Sequence, residues 1–359
     1  MHFRTPRLEI HGDRIAANAR AVVDLVHAHG GRVAGVAKVA CAHPAVVGAL
    51  VAGGVDELAD SRILNLVETG ERGTGLRQML LRIPAPSAAP DVVRSADVTL
   101  NSSLPTLRVL DAAAGAAGLH HEVIVMVDVG DLREGVWPDR AVDLVRAAAD
   151  LPHLDVIGLG ANLACYGGVI PSEENMRALI GVRDACRAAT GLELATLSGG
   201  NSSALPLLAD GRMPTEVNHF RIGEAIVLGR NVLDRRPWPG TRQDTVRLVA
   251  EIVELERKPS VPIGTRAQNA FGESPDFPDR GLRWRAIVNI GRQDAAIEGL
   301  TPQDEGVLLV GASSDHLILD VEDAAGDIRL GGEIGFWPNY AAVLALSTSR
   351  YVQKVAMRG

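Results

Sequence analysis

Residues 31–44 read GRVAGVAKVACAHP and combine a strongly apolar run with one charged side chain. The small and β-branched residues of this run predict a short strand that is apolar on both faces, as in a parallel sheet. Lys38 lies inside the run, although lysine is almost never fully buried unless something pairs with it. Its amine either reaches solvent over a buried stem or is a reactive group whose pKa is lowered by desolvation.

The pattern around this strand repeats along much of the chain. Short apolar runs alternate with helical stretches from about residue 13 to residue 230, and about eight such units predict a closed (β/α)8 barrel of the α/β class. We assign residues 11–235 to this barrel. After DRRPWPG (residues 234–240) the pattern is strand-like, so we assign residues 1–10 and 236–359 to a C-terminal, mostly β domain.

The composition restricts the class of protein. The 359 residues carry a net charge of −8, which argues against a nucleic-acid binder. No run approaches the roughly 18 unbroken apolar residues of a membrane span, and the first residues lack the apolar segment of a signal peptide. The three cysteines show no metal-ligand spacing. These features predict a cytoplasmic protein that acts on a small molecule and has no metal site.

Polar residues follow several of the predicted strands, where a barrel of this kind carries its chemistry. The four segments are VDVGDLREG (127–135), GANLACYGG (160–168), LSGGNSSAL (197–205) and RIGEA (221–225). Glycines with serine hydroxyls at the last two strand ends are typical of a phosphate site built from backbone N–H groups. A reactive lysine beside such a site indicates either pyridoxal phosphate or a lysine-dependent aldolase acting on sugar phosphates.

The motifs in their order resemble those of the alanine racemase-like, fold-type III pyridoxal phosphate enzymes, and most closely the ornithine racemase branch. The resemblance runs from about residue 7 to residue 351 and rests on GVAKVACAHP, ADSRI, LLRIP, MVDVGDLREG, NLACYGGVIPSEEN, SGGNSSAL, MPTEVNHFRIGEAIVLG, NIGRQD and GASSDHLILDV. It implies a pyridoxal phosphate-binding (β/α)8 barrel with a C-terminal β domain. It also implies a homodimer in which the β domain of one subunit closes the barrel mouth of the other.

The resemblance also implies a role for particular residues. Lys38 would hold the cofactor through a Schiff base and act as one catalytic base, and Arg221 would face the pyridine nitrogen. The phosphate would be held by Ser202 or Ser203. The remaining cofactor contacts implied by the family pattern are the backbone of Gly223, Glu224 and Ala225 at the phosphate, Tyr340 reaching the phosphate, Arg133 near the phenolic oxygen, and Asn162 where a ring-packing histidine usually lies.

The chain departs from the family pattern at the second acid/base group, which in alanine racemases is a tyrosine of the partner's β domain. Residues 241–339 contain no tyrosine. His316 and Asp315, in the segment SSDHLILD, align near the substrate-facing loop of the β domain. Cys165 and Tyr166 are the candidates on the barrel. The sequence leaves these alternatives open.

We therefore expect an amino-acid racemase that interconverts the L and D forms of ornithine or another basic amino acid. Asp315, Asp294 or Glu224 could pair with a distal ammonium group of such a substrate. Two alternatives remain open. One is other chemistry on the same scaffold, such as D-threonine aldolase-like cleavage or decarboxylation, and the other is a non-enzymatic carrier of pyridoxal phosphate.

Overall fold

A computed structural model describes residues 4–357 of the chain. They form two compact units, of which one is Gly12–Thr245 and the other comprises residues 4–11 and 246–357. The first strand, β1 (Arg7–His11), belongs to the second unit, where it pairs with two later strands. This is the unit to which the sequence assigns residues 1–10, of which residues 1–3 lie outside the described part of the chain.

The larger unit is a closed barrel of eight parallel strands in chain order. The strands are β2 (Arg32–Val36), β3 (Glu57–Asp60), β4 (Arg77–Leu80), β5 (Val98–Asn101), β6 (His121–Met126), β7 (Leu154–Gly160), β8 (Thr196–Ser198) and β9 (His219–Ile222). The predicted (β/α)8 barrel is therefore confirmed.

Helices precede and follow these strands. They are α1 (Gly12–Ala28), α2 (Pro44–Ala52), α3 (Ile63–Glu71), α4 (Ala89–Ser95), α5 (Leu104–Ala117), α6 (Pro138–Ala149), α7 (Glu173–Thr190), α8 (Leu205–Ala209) and α9 (Glu224–Val227). Local sequence sets their ends. Helix α7, for example, begins at a capping box in which Ser172 and Asn175 each accept the other's backbone N–H, and it ends at Gly191 with a φ of 73°.

Most of the packed apolar side chains in the barrel interior come from five adjacent strands. Strands β2 to β6 supply a packed apolar cluster of Ala34, Val36, Ala59, Met79, Val98, Leu100, Ile124 and Met126. At positions in register with this cluster, strands β7 to β9 carry Gly158, Gly160, Ser198, His219 and Arg221. The missing side chains on β7 leave room for the polar ones on the neighbouring strands.

The second unit is built on a mostly antiparallel sheet with strand order β12-β15-β10-β11-β14-β13. Its strands are β10 (Val246–Pro259), β11 (Leu282–Val288), β12 (Leu300–Pro302), β13 (Leu308–Ala312), β14 (Leu317–Asp320), β15 (Glu333–Pro338) and β16 (Gln353–Met357), and its helix is α10 (Tyr340–Thr348). Strand β1 joins this sheet between β10 and β16. We call it the β unit.

The chain leaves the barrel about ten residues later than the proline- and glycine-rich turn suggests. Residues 236–245 are hydrogen-bonded to the barrel. The Trp238 N–H donates to the Gly229 carbonyl oxygen at 2.8 Å, and the Arg242 N–H donates to Asn18 Oδ1 at 2.7 Å. The turn therefore marks a bend within the barrel unit, and the β unit starts with the strand at Val246.

No helix within residues 4–357 is long and apolar enough to cross a membrane. None of the three cysteines, Cys41, Cys165 and Cys186, forms a disulfide bond. The cytoplasmic location expected from the composition stays a prediction.

The close approach of β7 and β8 predicts a sharp effect of one substitution. A Cβ atom added at Gly158 would lie 1.8 Å from the Thr196 carbonyl oxygen, so the strands must separate to accept it. We expect G158A to lower the free energy of unfolding by roughly 1–3 kcal/mol in urea denaturation. G181A, in the exposed middle of α7 with open space around the new methyl group, should raise it by about 0.4–1 kcal/mol. Equal stability of the two variants would contradict this packing.

Candidate active site

Lys38 lies just beyond the first barrel strand. Strand β2 ends at Val36, and Lys38 opens a short 3-10 helix that ends at Ala40. The next two residues, Cys41 and Ala42, have φ values of 48° and 49°, in the left-handed region that residues with a Cβ rarely adopt. Such strained turns persist only where the surroundings fix them, and here the Ala42 N–H donates to the Ala37 carbonyl oxygen at 3.3 Å. This turn therefore holds Lys38 in a fixed place at the barrel mouth.

The environment of Lys38 favours the neutral amine. Burial lowers the pKa of Lys38, and the positive charges of Arg133 and Arg221 act in the same direction. Cys165 and Asp60 oppose this shift without reversing it. A lysine with a lowered pKa holds a larger share of free amine near neutral pH, which is what a nucleophile or a base requires. Of the three lysines in the sequence, Lys38 is the one that falls in the barrel unit.

Arg221 is buried on β9, with 4% of its surface exposed. Its Nε donates to Ser198 Oγ at 3.0 Å, and its Nη2 donates to the Ala161 carbonyl oxygen at 2.5 Å. Both acceptors are neutral. Burial lowers the pKa of Arg221 to about 10, so the guanidinium still carries its charge at neutral pH. The site therefore contains a fixed buried cation.

Backbone N–H groups converge on one serine hydroxyl at the ends of the last two strands. The N–H groups of Gly223 and Ala225 donate to Ser202 Oγ at 3.4 and 3.3 Å. The hydroxyl of Ser203 points elsewhere and donates to the Leu163 carbonyl oxygen at 3.4 Å. Converging N–H donors with a hydroxyl form a site suited to an anion, and Ser202 faces it. Ser203 helps to fix the loop after β7.

The loop that carries Cys165 is held by a buried aspartate. Asp131 accepts backbone N–H groups from Cys165, Tyr166 and Val169 at 2.9–3.1 Å through its two carboxylate oxygens. Burial alone would raise the pKa of Asp131, but these backbone hydrogen bonds outweigh it and hold the pKa below the usual range. Cys165 is exposed, and Asn201 Nδ2 donates to its Sγ at 3.3 Å. The loop places a thiol at the mouth in a defined position.

Three further predicted residues lie on the same loops. Arg133 is exposed and forms an ion pair with Glu134. The side chain of Asn162 is buried, and its Nδ2 has no hydrogen-bond partner among residues 4–357. Glu224 begins α9, where Arg235 forms an ion pair with its carboxylate. Burial raises the pKa of Glu224, and the positive charges of Arg235 and Lys38 act against this shift.

The other predicted residues belong to the β unit. Asp315 and His316 are exposed in the turn between β13 and β14, where the Asp315 carboxylate accepts hydrogen bonds from Ser313 and Ser314. Hydrogen bonding from Ser314 and then Ser313 lowers the pKa of Asp315. Tyr340 is the half-buried first residue of α10. Asp294 accepts a hydrogen bond from the Ser349 hydroxyl at 2.6 Å and is thus tied to the end of α10.

The sequence of residues 10–231 matches the family model described as the alanine racemase, N-terminal domain. This range covers the barrel and more than half of the chain. The chain belongs to the alanine racemase family. The family and the fold class predicted from the sequence are both confirmed.

Relatives and solved structures of this family cover almost the whole chain. The sequence is 40% identical to an ornithine racemase of Acetoanaerobium sticklandii over 352 residues, which is 97% of this chain and 99% of the relative. It is 38% identical to a lysine racemase of Thermotoga maritima over 350 residues, 98% of each. The structure resembles an alanine racemase of Clostridium difficile 630 with a TM-score of 0.72 at 20% identity, covering 99% of this chain and 96% of that one.

Within this racemase fold, the predicted residues separate into two groups. The barrel group comprises Arg221 on strand β9 and, on the segments that follow the strands, Lys38, Arg133, Asn162, Cys165, Ser202, Ser203, Gly223, Glu224 and Ala225. The second group, Asp315, His316 and Tyr340, belongs to the β unit. The roles of all these residues stay predictions.

Sequence reasoning missed the residues that hold this site in place. The sequence pattern shows Asp131 only as part of the strand-end segment VDVGDLREG, and it assigns no separate role to Ser198 or His219. One signal was available for His219. It lies two positions before Arg221 on the same short strand, so both side chains share one face.

The anchoring of the Cys165 loop predicts a pH-dependent effect of D131N. Its amide would meet backbone N–H donors with its own N–H groups, so we expect the free energy of unfolding to fall by roughly 1–3 kcal/mol at pH 7. The pKa of Asp131 is lowered in the folded protein, so its contribution is complete above the unfolded value and fades as pH falls below about 4. Urea denaturation across this range measures the difference. D143N, on the exposed face of α6, should change stability by less than about 0.5 kcal/mol.

Proposed function

We propose that this chain is a pyridoxal phosphate-dependent racemase that interconverts the L and D forms of a basic amino acid such as ornithine or lysine. The observation that carries the proposal is that the same barrel holds both Lys38 and Arg221. Lys38 is a lysine with a lowered pKa at the barrel mouth, and Arg221 is a buried cation held by neutral acceptors. The ornithine and lysine racemases among the relatives support the reaction class and the substrate class.

The donors of the barrel mouth fit pyridoxal phosphate. Lys38 offers an amine for the aldehyde carbon, and Arg221 offers N–H donors to the pyridine nitrogen. Ser202 with the backbone N–H groups of Gly223 and Ala225 suits the phosphate. Nδ2 of Asn162 is a buried amide donor that has no hydrogen-bond partner among residues 4–357, which is energetically unfavourable. An acceptor on a bound molecule would satisfy it. When bound, the cofactor withdraws electrons from the α-carbon of the amino acid, so that its α-proton can leave.

The choice of arginine at this position suits transfer of a single proton. An aspartate would accept a hydrogen bond from a protonated pyridine nitrogen and keep that nitrogen charged, which makes the ring a strong electron acceptor. A guanidinium stays charged and donates instead, so the ring nitrogen stays unprotonated. The weaker electron withdrawal limits side reactions that need a long-lived carbanion. Arg221 therefore favours racemisation over cleavage reactions on the same scaffold.

Inversion at the α-carbon needs a proton acceptor on one face and a proton donor on the other. Nζ of Lys38 supplies one of these groups. For the other we propose the thiol of Cys165, because the barrel itself carries it and it lies near enough to Lys38 and Arg133 to interact with them electrostatically. Asp315 and His316 stay as alternatives from the β unit.

A carboxylate is required to recognise the distal ammonium of ornithine or lysine. Glu224 is the candidate carboxylate that lies within electrostatic reach of Lys38. Its ion pair with Arg235 joins it to an exposed side chain that can move when a cationic substrate competes. We propose Glu224 for this role, ahead of Asp294 and Asp315.

A homodimer is part of the proposal. Three apolar side chains on the loops after β6 and β7 are strongly exposed, namely Leu132 at 66%, Tyr166 at 77% and Ile170 at 62%. Exposed apolar groups that lie together on neighbouring loops are typical of protein contact surfaces. A second copy of the chain would cover them.

Exchange of the α-proton in deuterium oxide tests the function. With pyridoxal phosphate added, we expect L- and D-ornithine or L- and D-lysine to take up deuterium and to invert, while alanine reacts at least about tenfold more slowly. Proton NMR follows the exchange, and chiral chromatography follows the inversion. Exchange without inversion would favour aldolase or decarboxylase chemistry, and no exchange with any amino acid would leave a carrier of the cofactor.

Two lysine variants make the test specific. K38A should lower racemisation by roughly 100-fold or more, because it removes both the anchor and one base. K258A, which removes an exposed lysine of β10 paired with Glu254, should leave the rate unchanged. Reduction with sodium borohydride followed by peptide mass spectrometry should find the cofactor on Lys38. Labelling of another lysine would contradict the assignment.

Comparing α-proton exchange with racemisation identifies the second acid/base group. If Cys165 fills this role, C165A should keep exchange of the α-proton in one enantiomer while its racemisation rate falls by roughly 100-fold or more. C186A, at a buried thiol of α7, is the matched control and should racemise like the unmodified chain. If C165A racemises normally, the role passes to the β unit, and H316N and D315N then identify the residue by the same readout.

A further inference from the structure

A line of buried polar groups leads away from Arg221 through the barrel interior. Ser198 Oγ, which accepts the hydrogen bond from Arg221 Nε, lies 2.9 Å from His219 Nδ1. The other ring nitrogen, His219 Nε2, lies 3.7 Å from Glu57 Oε2. Arg32 Nη1 lies 3.5 Å from the second carboxylate oxygen of Glu57. Ser198 and His219 have no exposed surface, and Glu57 has 4%.

The strand order shows that this line runs inside the barrel. His219 is on β9 and Glu57 is on β3, and β2 lies between these two strands. Side chains that meet across an intervening parallel strand must point to the concave side of the sheet, where they converge. The line is therefore enclosed by the barrel.

Charge and burial together fix the direction of each hydrogen bond. Burial lowers the pKa of His219 although Glu57 opposes the shift, so the imidazole is neutral at pH 7. Burial would raise the pKa of Glu57, but the interaction with His219 and the nearby arginines outweighs it, so Glu57 is a carboxylate. A neutral imidazole has one N–H. His219 Nε2 has no hydrogen-bond partner among residues 4–357, but the Glu57 carboxylate 3.7 Å away attracts an N–H and so favours it on Nε2. His219 Nδ1 is then an acceptor, and Ser198 must donate to it.

We infer that His219 and Glu57 are positioning residues that act through Ser198 to fix the hydrogen-bonding state of Arg221. Because the Ser198 hydroxyl proton is engaged by His219, the oxygen presents only lone pairs to Arg221 Nε. Arg221 is thus held by a neutral acceptor whose orientation cannot reverse. The inference rests on the proposed function, in which Arg221 faces the pyridine nitrogen.

The arrangement keeps negative charge out of direct contact with Arg221. A carboxylate in contact would neutralise the guanidinium and compete with a ligand for its N–H groups. Here Glu57 lies at the far end of the line, beyond one hydroxyl and one imidazole, and it forms its ion pair with Arg32 instead. Arg221 keeps its charge and its donors for the site.

The first experiment needs no cofactor and no substrate. Histidine ring 15N NMR of the full chain should show His219 protonated on Nε2 and unprotonated on Nδ1 at pH 7, and the Nδ1 resonance should shift in S198A. Protonation of His219 on Nδ1 would overturn the inference. So would an Nδ1 resonance that is the same in S198A.

The second experiment uses two substitutions at His219 with ring-15N-labelled pyridoxal phosphate. H219L removes the acceptor, and we expect a shifted pyridine nitrogen resonance and a kcat lower by about tenfold, with KM changed less than about twofold. H219N, whose amide oxygen can accept a hydrogen bond from Ser198, should restore both the pyridine nitrogen resonance and kcat. H121L is the matched control, since His121 is another buried histidine of a barrel strand, bonded to Thr99 at 3.0 Å.

The outcomes separate the two proposals. An unmodified chain that binds the cofactor but does not racemise refutes the proposed function, while the NMR comparison of H219L with H121L still decides the inference. Identical resonances in H219L and H121L would overturn the inference even if racemisation is fully established. If the chain binds no cofactor, the inference is decided by the tautomer of His219 and by whether its Nδ1 resonance shifts in S198A.

Discussion

Arg221 is a charged side chain in the interior of a barrel, and no carboxylate of residues 4–357 is in ion-pair contact with it. Moving such a charge out of water costs on the order of several kcal/mol, so its N–H groups need hydrogen-bond acceptors. The Ser198 hydroxyl and the Ala161 carbonyl oxygen take two of them. Much of the surrounding structure follows from the need to keep this cation buried, oriented and still able to donate.

The barrel meets this need by dividing its interior. Apart from Glu57 on β3, strands β2 to β6 contribute aliphatic residues and methionine, which supply most of the apolar packing of the interior. At the equivalent positions, strands β7 to β9 carry glycine or polar residues, namely Gly158, Gly160, Ser198 and His219. The apolar side stabilises the barrel enough that the polar side can carry groups selected for their hydrogen bonds. A uniformly apolar interior would leave no place for a guanidinium.

The loops at the mouth are held by polar contacts of the same kind. Asp131 fixes the backbone around Cys165, and left-handed residues at Cys41 and Ala42 fix the turn after Lys38. Rigid loops matter for proton transfer, because a misplacement of about 1 Å can cost on the order of 100-fold in rate. The racemase fold thus holds the amine of Lys38, the guanidinium of Arg221 and the thiol of Cys165 on backbone segments that hydrogen bonds keep in place.

The sequence by itself determined the barrel, the family and the place of Lys38, because apolar periodicity and the order of strand-end motifs follow from local patterns. It did not determine the exit from the barrel at Thr245, since a turn is visible in the sequence but its hydrogen-bond partners on α1 and after α9 are not. Nor could it show that Ser202, and not Ser203, faces the converging N–H groups. The line from Arg221 to Glu57 joins residues on three strands, and only closure of the barrel brings these residues next to one another.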